Sequence, residues 1–125
     1  MINTKVTKWL PPFTVMLIIF LFSATPGSLI NEIGLGHESL HISGHSIMFF
    51  ILCMSFFKST KDAYLSVIFA SIYGVLDEFH QMGTFMRSSS FLDIYTDVTA
   101  AILAGVILWK LQYILPNKLK NWLNN

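Results

Sequence analysis

The residues with chemical reach are unevenly spread along this chain of 125 residues. His37, His41 and His45 recur at every fourth position, with Glu38 among them. On an α-helix such members rotate by about 40° and rise by about 6 Å, so they line a near-axial stripe. Two histidines four apart suit one metal ion with a third ligand from elsewhere, which makes His37, His41 and His80 the metal candidates. The stripe reads equally as a hydrogen-bonded polar seam, and the near-neutral titration of imidazole admits a proton relay. No particular metal or cofactor is specified by this pattern.

A denser group follows at Asp77-Glu78-Phe79-His80-Gln81. In helical geometry Asp77 shares a face with His80 and Gln81, while Glu78 projects elsewhere, as a polar helix end facing water would have it. A carboxylate beside an imidazole orients the ring and raises its basicity, which gives Asp77 and His80 as an acid/base pair. Ser90-Phe91-Leu92-Asp93 has capping-box spacing, so Asp93 closes a helix N-terminus. Capping does not reach Asp97, one turn deeper on the same face. Its carboxylate requires a partner, either Arg87 or a histidine, and it stands as a second catalytic carboxylate or ligand. Arg87 is suited to bidentate capture of a carboxylate or phosphate. The candidate catalytic residues are therefore Asp77, His80 and Asp97, with Arg87, Gln81, Glu78, Asp93, His41 and His45 as ligand-binding candidates. Spacing brings no serine or cysteine nucleophile to a base, so hydrolysis here would use water or metal-bound water.

The elements that position these residues are apolar. Hydrophobic residues make up 54% of the chain and charged residues 12%, with a mean hydropathy of +0.60. Ordinary soluble domains carry about 45–50% apolar and about 25% charged residues. The missing polar surface implies lipid as the surrounding medium, and the apolar excess excludes a disordered chain. A net charge of +1 supplies no field for nucleic acid. The single cysteine, Cys53, excludes an intramolecular disulfide and lies in an apolar run as an inert thiol.

Four apolar runs, at about residues 10–24, 41–57, 63–79 and 91–111, predict an all-α integral membrane protein. The expected architecture is one domain over 1–125, a bundle of four transmembrane helices. The second run admits an earlier start near His37. Three of the runs are short, which predicts upright helices or a thinned bilayer. Gly44, Gly74 and Gly105 permit close helix approach.

Orientation follows from the cations. Lys5, Lys8, Lys58, Lys61, Lys110, Lys118 and Lys120 fall on one side and Arg87 on the other, so both termini are expected in the cytoplasm. The first run is read as a retained span, because Phe22 occupies a position where signal cleavage after Ala24 would need a small residue. Trp9 and Trp109 then mark the inner interface, and the tail 116–125 lies along it. All four histidines, and every acid except Asp62, fall toward the outer face. Charged groups within spans cost about 2.5–3.5 kcal/mol each on insertion scales and are tolerated facing a bundle interior or a wet cavity. An outward-facing polar pocket is expected.

These residues resemble the VanZ-like family of small bacterial membrane proteins. His41 corresponds to a histidine early in that family's second helix, and Tyr73-Gly74-Val75-Leu76-Asp77-Glu78-Phe79-His80-Gln81 to its central Asp-Glu-x-His-Gln segment. Arg87 and Asp93 fall at the family's arginine and aspartate spacings, and Phe22-Ser23-Ala24-Thr25-Pro26-Gly27 is similar to its serine/proline-rich end of helix one. His45 stands where tyrosine is usual, His37-Glu38 where Asp-Lys is common, Phe85-Met86 where Pro-Gly precedes the arginine, and Asp97 where asparagine is usual. Those departures mark a divergent member with a more acidic, histidine-rich pocket. The resemblance implies a multi-pass protein of the bacterial plasma membrane linked to glycopeptide, chiefly teicoplanin, resistance.

Three functions compete. One is a binding protein whose outer pocket takes an amphiphile, either a lipoglycopeptide or a lipid-linked wall precursor. Another is a membrane-embedded hydrolase or transferase on lipid-linked cell-wall material. The third, a proton or ion path along the histidine stripe, would require an oligomer, because the inner halves of the second and third runs lack ionisable residues.

Overall fold

The computed structural model describes residues 4–34, 38–84 and 91–125, except for the side chains of residues 27, 30, 31 and 38–42. Among the described residues all regular structure is helical: α1 (Thr4–Thr7), α2 (Leu10–Ala24), α3 (Gly27–Glu32), α4 (Glu38–Thr60), α5 (Ala63–Met82), α6 (Phe91–Lys110), a short 3-10 turn (Gln112–Ile114) and α7 (Asn117–Asn124). Pro11 and Pro12 sit in the first turn of α2, where a missing N–H costs no helical bond. That helix stops at Thr25, whose extended backbone precedes Pro26. By length and composition, Thr4–Ala24 and Phe91–Lys110 are apolar enough to cross a membrane.

The other two long helices outrun their apolar runs. At 23 and 20 residues, α4 and α5 extend about 34 and 30 Å at 1.5 Å per residue. The shortness expected from the sequence is thus a property of the apolar stretch and not of the helix. Backbone pairing continues through the polar residues, and on α5 their side chains turn inward.

Helix α4 is central and packs against α2, α5, α6 and α7, while α5 also touches α2 and α6. Between Leu52 and Phe57 every side chain of α4 is buried. The inner face of α5 runs Ser66, Ala70, Gly74, Asp77, Glu78, Gln81, and that of α6 runs Asp97, Ala100, Ala101, Ala104, Gly105, Leu108. Both follow the helical period, and both consist mainly of small or polar residues. Large apolar side chains face outward instead: Phe13, Leu17 and Leu21 on α2, Ile47 and Ile51 on α4, Ile72, Leu76 and Phe79 on α5, and Ile102, Leu103 and Val106 on α6. The small seam lets α5 and α6 close together, so tightly that a Cβ at Gly105 would stand 2.3 Å from Val67 Cγ2.

The two ends of the bundle differ. At one end Ser59 Oγ donates to Lys8 O at 2.6 Å, Lys58 Nζ to Trp122 O, and Lys61 Nζ to Leu123 O. The two lysine bonds hold α7 across the α4–α5 connection, with Leu123 buried beneath it, and the serine bond ties the segment before α2 to the end of α4. The connection itself is tight. Lys61 takes a left-handed backbone (φ 58°), and Asp62 then caps α5 by accepting from Leu65 N at 3.0 Å. Lysines thus gather with the N-terminal segment and the tail. Burial and the nearby charges of Lys58 and Lys8 hold the Lys61 ammonium below its ordinary pKa. The opposite end carries Asp77, Glu78 and Asp97.

Candidate functional site

Four helices bring polar side chains together at the end remote from the lysines. Asp77 on α5 is buried, and its Oδ2 accepts from Ser23 Oγ on α2 at 2.8 Å and from Gln81 Nε2 at 2.9 Å. Gln81 Nε2 also lies 3.3 Å from Ser23 Oγ, closing a three-membered buried network. One turn of helix links Asp77 to Gln81, and the end of the first apolar run supplies the serine. Tyr73 fixes the relation of these two helices by donating from its hydroxyl to Met16 O at 2.6 Å.

A second pair spans α4 and α6. His45 Nδ1 lies 3.7 Å from Asp97 Oδ2, and the His45 ring stacks on Phe49 at 6.2 Å between centroids. Gly74 makes this approach feasible. A Cβ there would stand 3.3 Å from Phe49 Cε1 and 3.6 Å from Asp97 Cβ, so the absence of a side chain on α5 lets α4 and α6 close over it. Of the two partner types expected for Asp97, a histidine stands beside it, and that histidine is His45.

Glu78 corrects the sequence reading. Its carboxyl does not face water; it is buried, and Asp93, Asp97, Asp77 and His45 are its electrostatic neighbours. The reason lies in packing. Spacing on a lone helix defines one favoured face, but α5 touches three helices at once, so its buried arc is wide enough to enclose both Asp77 and Glu78.

The Asp77–His80 pair needs correction as well. Position 80 is rotated by about 60° from position 77 in one sense and position 81 by about 40° in the other. Gln81 meets Asp77, whereas the His80 ring stacks on Phe20 of α2, with centroids 4.4 Å apart and planes 21° from parallel. Asp93 occupies the first turn of α6, while its expected capping partner Ser90 lies outside the described residues. Also outside them are His37, Arg87 and the side chain of His41. For the proposed metal set of His37, His41 and His80, only His80 is therefore described. Among the described residues no three of His, Cys, Asp and Glu are arranged to hold a metal ion.

Ser23 is the site residue that the candidate set lacked. Its signal was present, since it is the one hydroxyl between Thr14 and Thr25 in an otherwise apolar stretch. Chemically the site is rich in acceptors. Several buried oxygens accept no hydrogen bond among the described residues: Asp77 Oδ1, both carboxyl oxygens of Glu78 and of Asp97, and Gln81 Oε1. Buried carboxylates in a low-dielectric setting demand protons, cations or donors. Compared with protein-family models, with curated proteins and with solved structures, the chain finds no match.

Proposed function

We propose that this chain is a four-span, VanZ-like protein of the bacterial plasma membrane, with both termini cytoplasmic. Its outward polar cluster would bind the polar head of an amphiphilic envelope ligand, a lipoglycopeptide or a lipid-linked wall precursor, and thereby contribute to teicoplanin resistance. One observation carries the reading. Polar and charged residues of four helices are buried together at one end, while the outer faces of the same helices expose large apolar side chains. In water that distribution would be unfavourable; in hydrocarbon it is the stable one. The lysines gathered at the opposite end support the orientation, and the exposed apolar stripes leave room for a lipid tail beside the cluster.

Topology is tested by labelling single cysteines with a membrane-impermeant maleimide in a Cys53→Ala background. Thr84→Cys is expected to label from outside and Lys118→Cys only after permeabilisation. Labelling of both from one side refutes the four-span arrangement. Deleting the gene is expected to sensitise cells to teicoplanin, and unchanged susceptibility to teicoplanin and other envelope drugs overturns the resistance role.

The His45–Asp97 pair favours a second reading, a membrane-embedded acid/base hydrolase or transferase acting on lipid-linked cell-wall material. Turnover of such a substrate by wild type and its loss in His45→Gln would establish it, whereas equal activity of the two would end it.

A further inference from the structure

The acceptor excess defines the chemistry of what enters. Glu78 is 3% exposed, Asp97 1% and Gln81 0%, so none of them is solvated from bulk water. Glu78 Oε1 and Oε2, Asp97 Oδ1, Asp77 Oδ1 and Gln81 Oε1 all lack a hydrogen-bond donor among the described residues. Gln81 is the informative one. Its amide nitrogen is committed to Asp77 and Ser23, which fixes the side chain within the network and leaves its carbonyl oxygen unmet there. A protonated carboxyl has only one O–H to give, and Gln81 Oε1 competes for it with the other unmet oxygens of the cluster. Several N–H donors on one positively charged group would complement this set of oxygens.

We propose, resting on the amphiphile-binding reading above, that the group received by this cluster is a protonated amine carried on an apolar tail. An ammonium offers three donors and no acceptor, the complement of a set of carboxylate and amide oxygens. It takes its acceptors at about 2.7–2.9 Å. A metal ion would need them at about 2.0–2.6 Å, and no such convergence exists among the described residues. The tail chemistry follows from the surroundings, since Leu76 and Phe79 on α5 and Phe20 and Phe22 on α2 are exposed near the same end of the bundle. An anionic headgroup is disfavoured, because its oxygens would add acceptors to a cluster whose buried oxygens already outnumber the donors among the described residues.

The test is thermal unfolding of the detergent-solubilised full chain, followed by circular dichroism at 222 nm with four additives at equal concentration. These are octylamine, octanol, octyl phosphate and propylamine. Octylamine at about ten times its Kd is expected to raise Tm by about 3 °C or more, with octanol and octyl phosphate without effect. Propylamine separates the headgroup from the tail: a shift as large as that of octylamine shows a free-amine site and overturns the amphiphile part. Glu78→Gln is expected to abolish the difference between octylamine and octanol. Should that variant not fold, the wild-type comparison decides alone. Equal shifts from octylamine and octanol, or a larger one from octyl phosphate, overturn the amine assignment while leaving amphiphile binding intact. No shift from any eight-carbon additive overturns both.

Discussion

Removing the two donors to Asp77 tests the geometry of the buried network directly. Ser23 Oγ and Gln81 Nε2 converge on the same carboxyl oxygen, at 2.8 and 2.9 Å. Hydrogen bonds between membrane helices average about 0.6 kcal/mol and reach about 1.7 kcal/mol, and a buried acceptor left short of donors adds about 1 kcal/mol or more. Ser23→Ala, which deletes only the hydroxyl, is thus expected to cost about 1–2 kcal/mol. Gln81→Met preserves length and removes the amide, with a similar cost. Each single variant leaves one donor in place; the double variant leaves a buried carboxyl with none. Its cost is expected to exceed the sum of the singles by about 1 kcal/mol or more, because stranding a buried acceptor with no donor is costlier than removing one of two. The measurement is equilibrium unfolding by SDS mole fraction, followed by circular dichroism, for wild type, both singles and the double. Additivity within about 0.3–0.5 kcal/mol is what independent sites give. Such a result would refute the claim that both donors serve one oxygen.

Further outcomes follow from the other contacts. Gly105→Ala places a methyl 2.3 Å from Val67 Cγ2 and is expected to cost about 1–3 kcal/mol through overpacking, with Val67→Ala recovering most of the loss in the same SDS titration. His45→Gln removes the imidazole 3.7 Å from Asp97 and should destabilise by about 1–3 kcal/mol, which Asp97→Asn in the same chain is expected to reverse. Lys58→Ala frees the Trp122 carbonyl and ring from their cation, so trypsin should cut at Lys118 and Lys120 faster than in wild type. The folded state holds Lys61 below its ordinary value and therefore binds fewer protons there than the unfolded chain. Stability should accordingly rise with pH as Lys61 deprotonates below 10.5, and Lys58→Ala should diminish that rise by removing a like charge.

Much of the helical layout is legible in the order of residues. The first and fourth apolar runs coincide with α2 and α6 to within a residue, and the third starts where α5 starts, because apolar stretches ended by Pro, Gly and charge leave little freedom in where a helix lies. That order also placed Asp77, Glu78, Asp97, His45 and His80 toward one end, since that follows from the alternation of helix direction alone. Partner choice within the cluster was decided only in the assembled bundle. Asp77 sits one turn from Gln81 and nearly one turn from His80, and periodicity scarcely separates these positions. Contact with α2 decides between them, through Ser23 on one side and Phe20 on the other. Likewise Glu78 is buried because α5 touches three helices at once, a fact that no single-helix projection contains. Helices are local, set by bonds between residues four apart; which side chains meet across them depends on the angles and distances of packing, and at Gly74 and Gly105 those are set by the room that a missing side chain leaves.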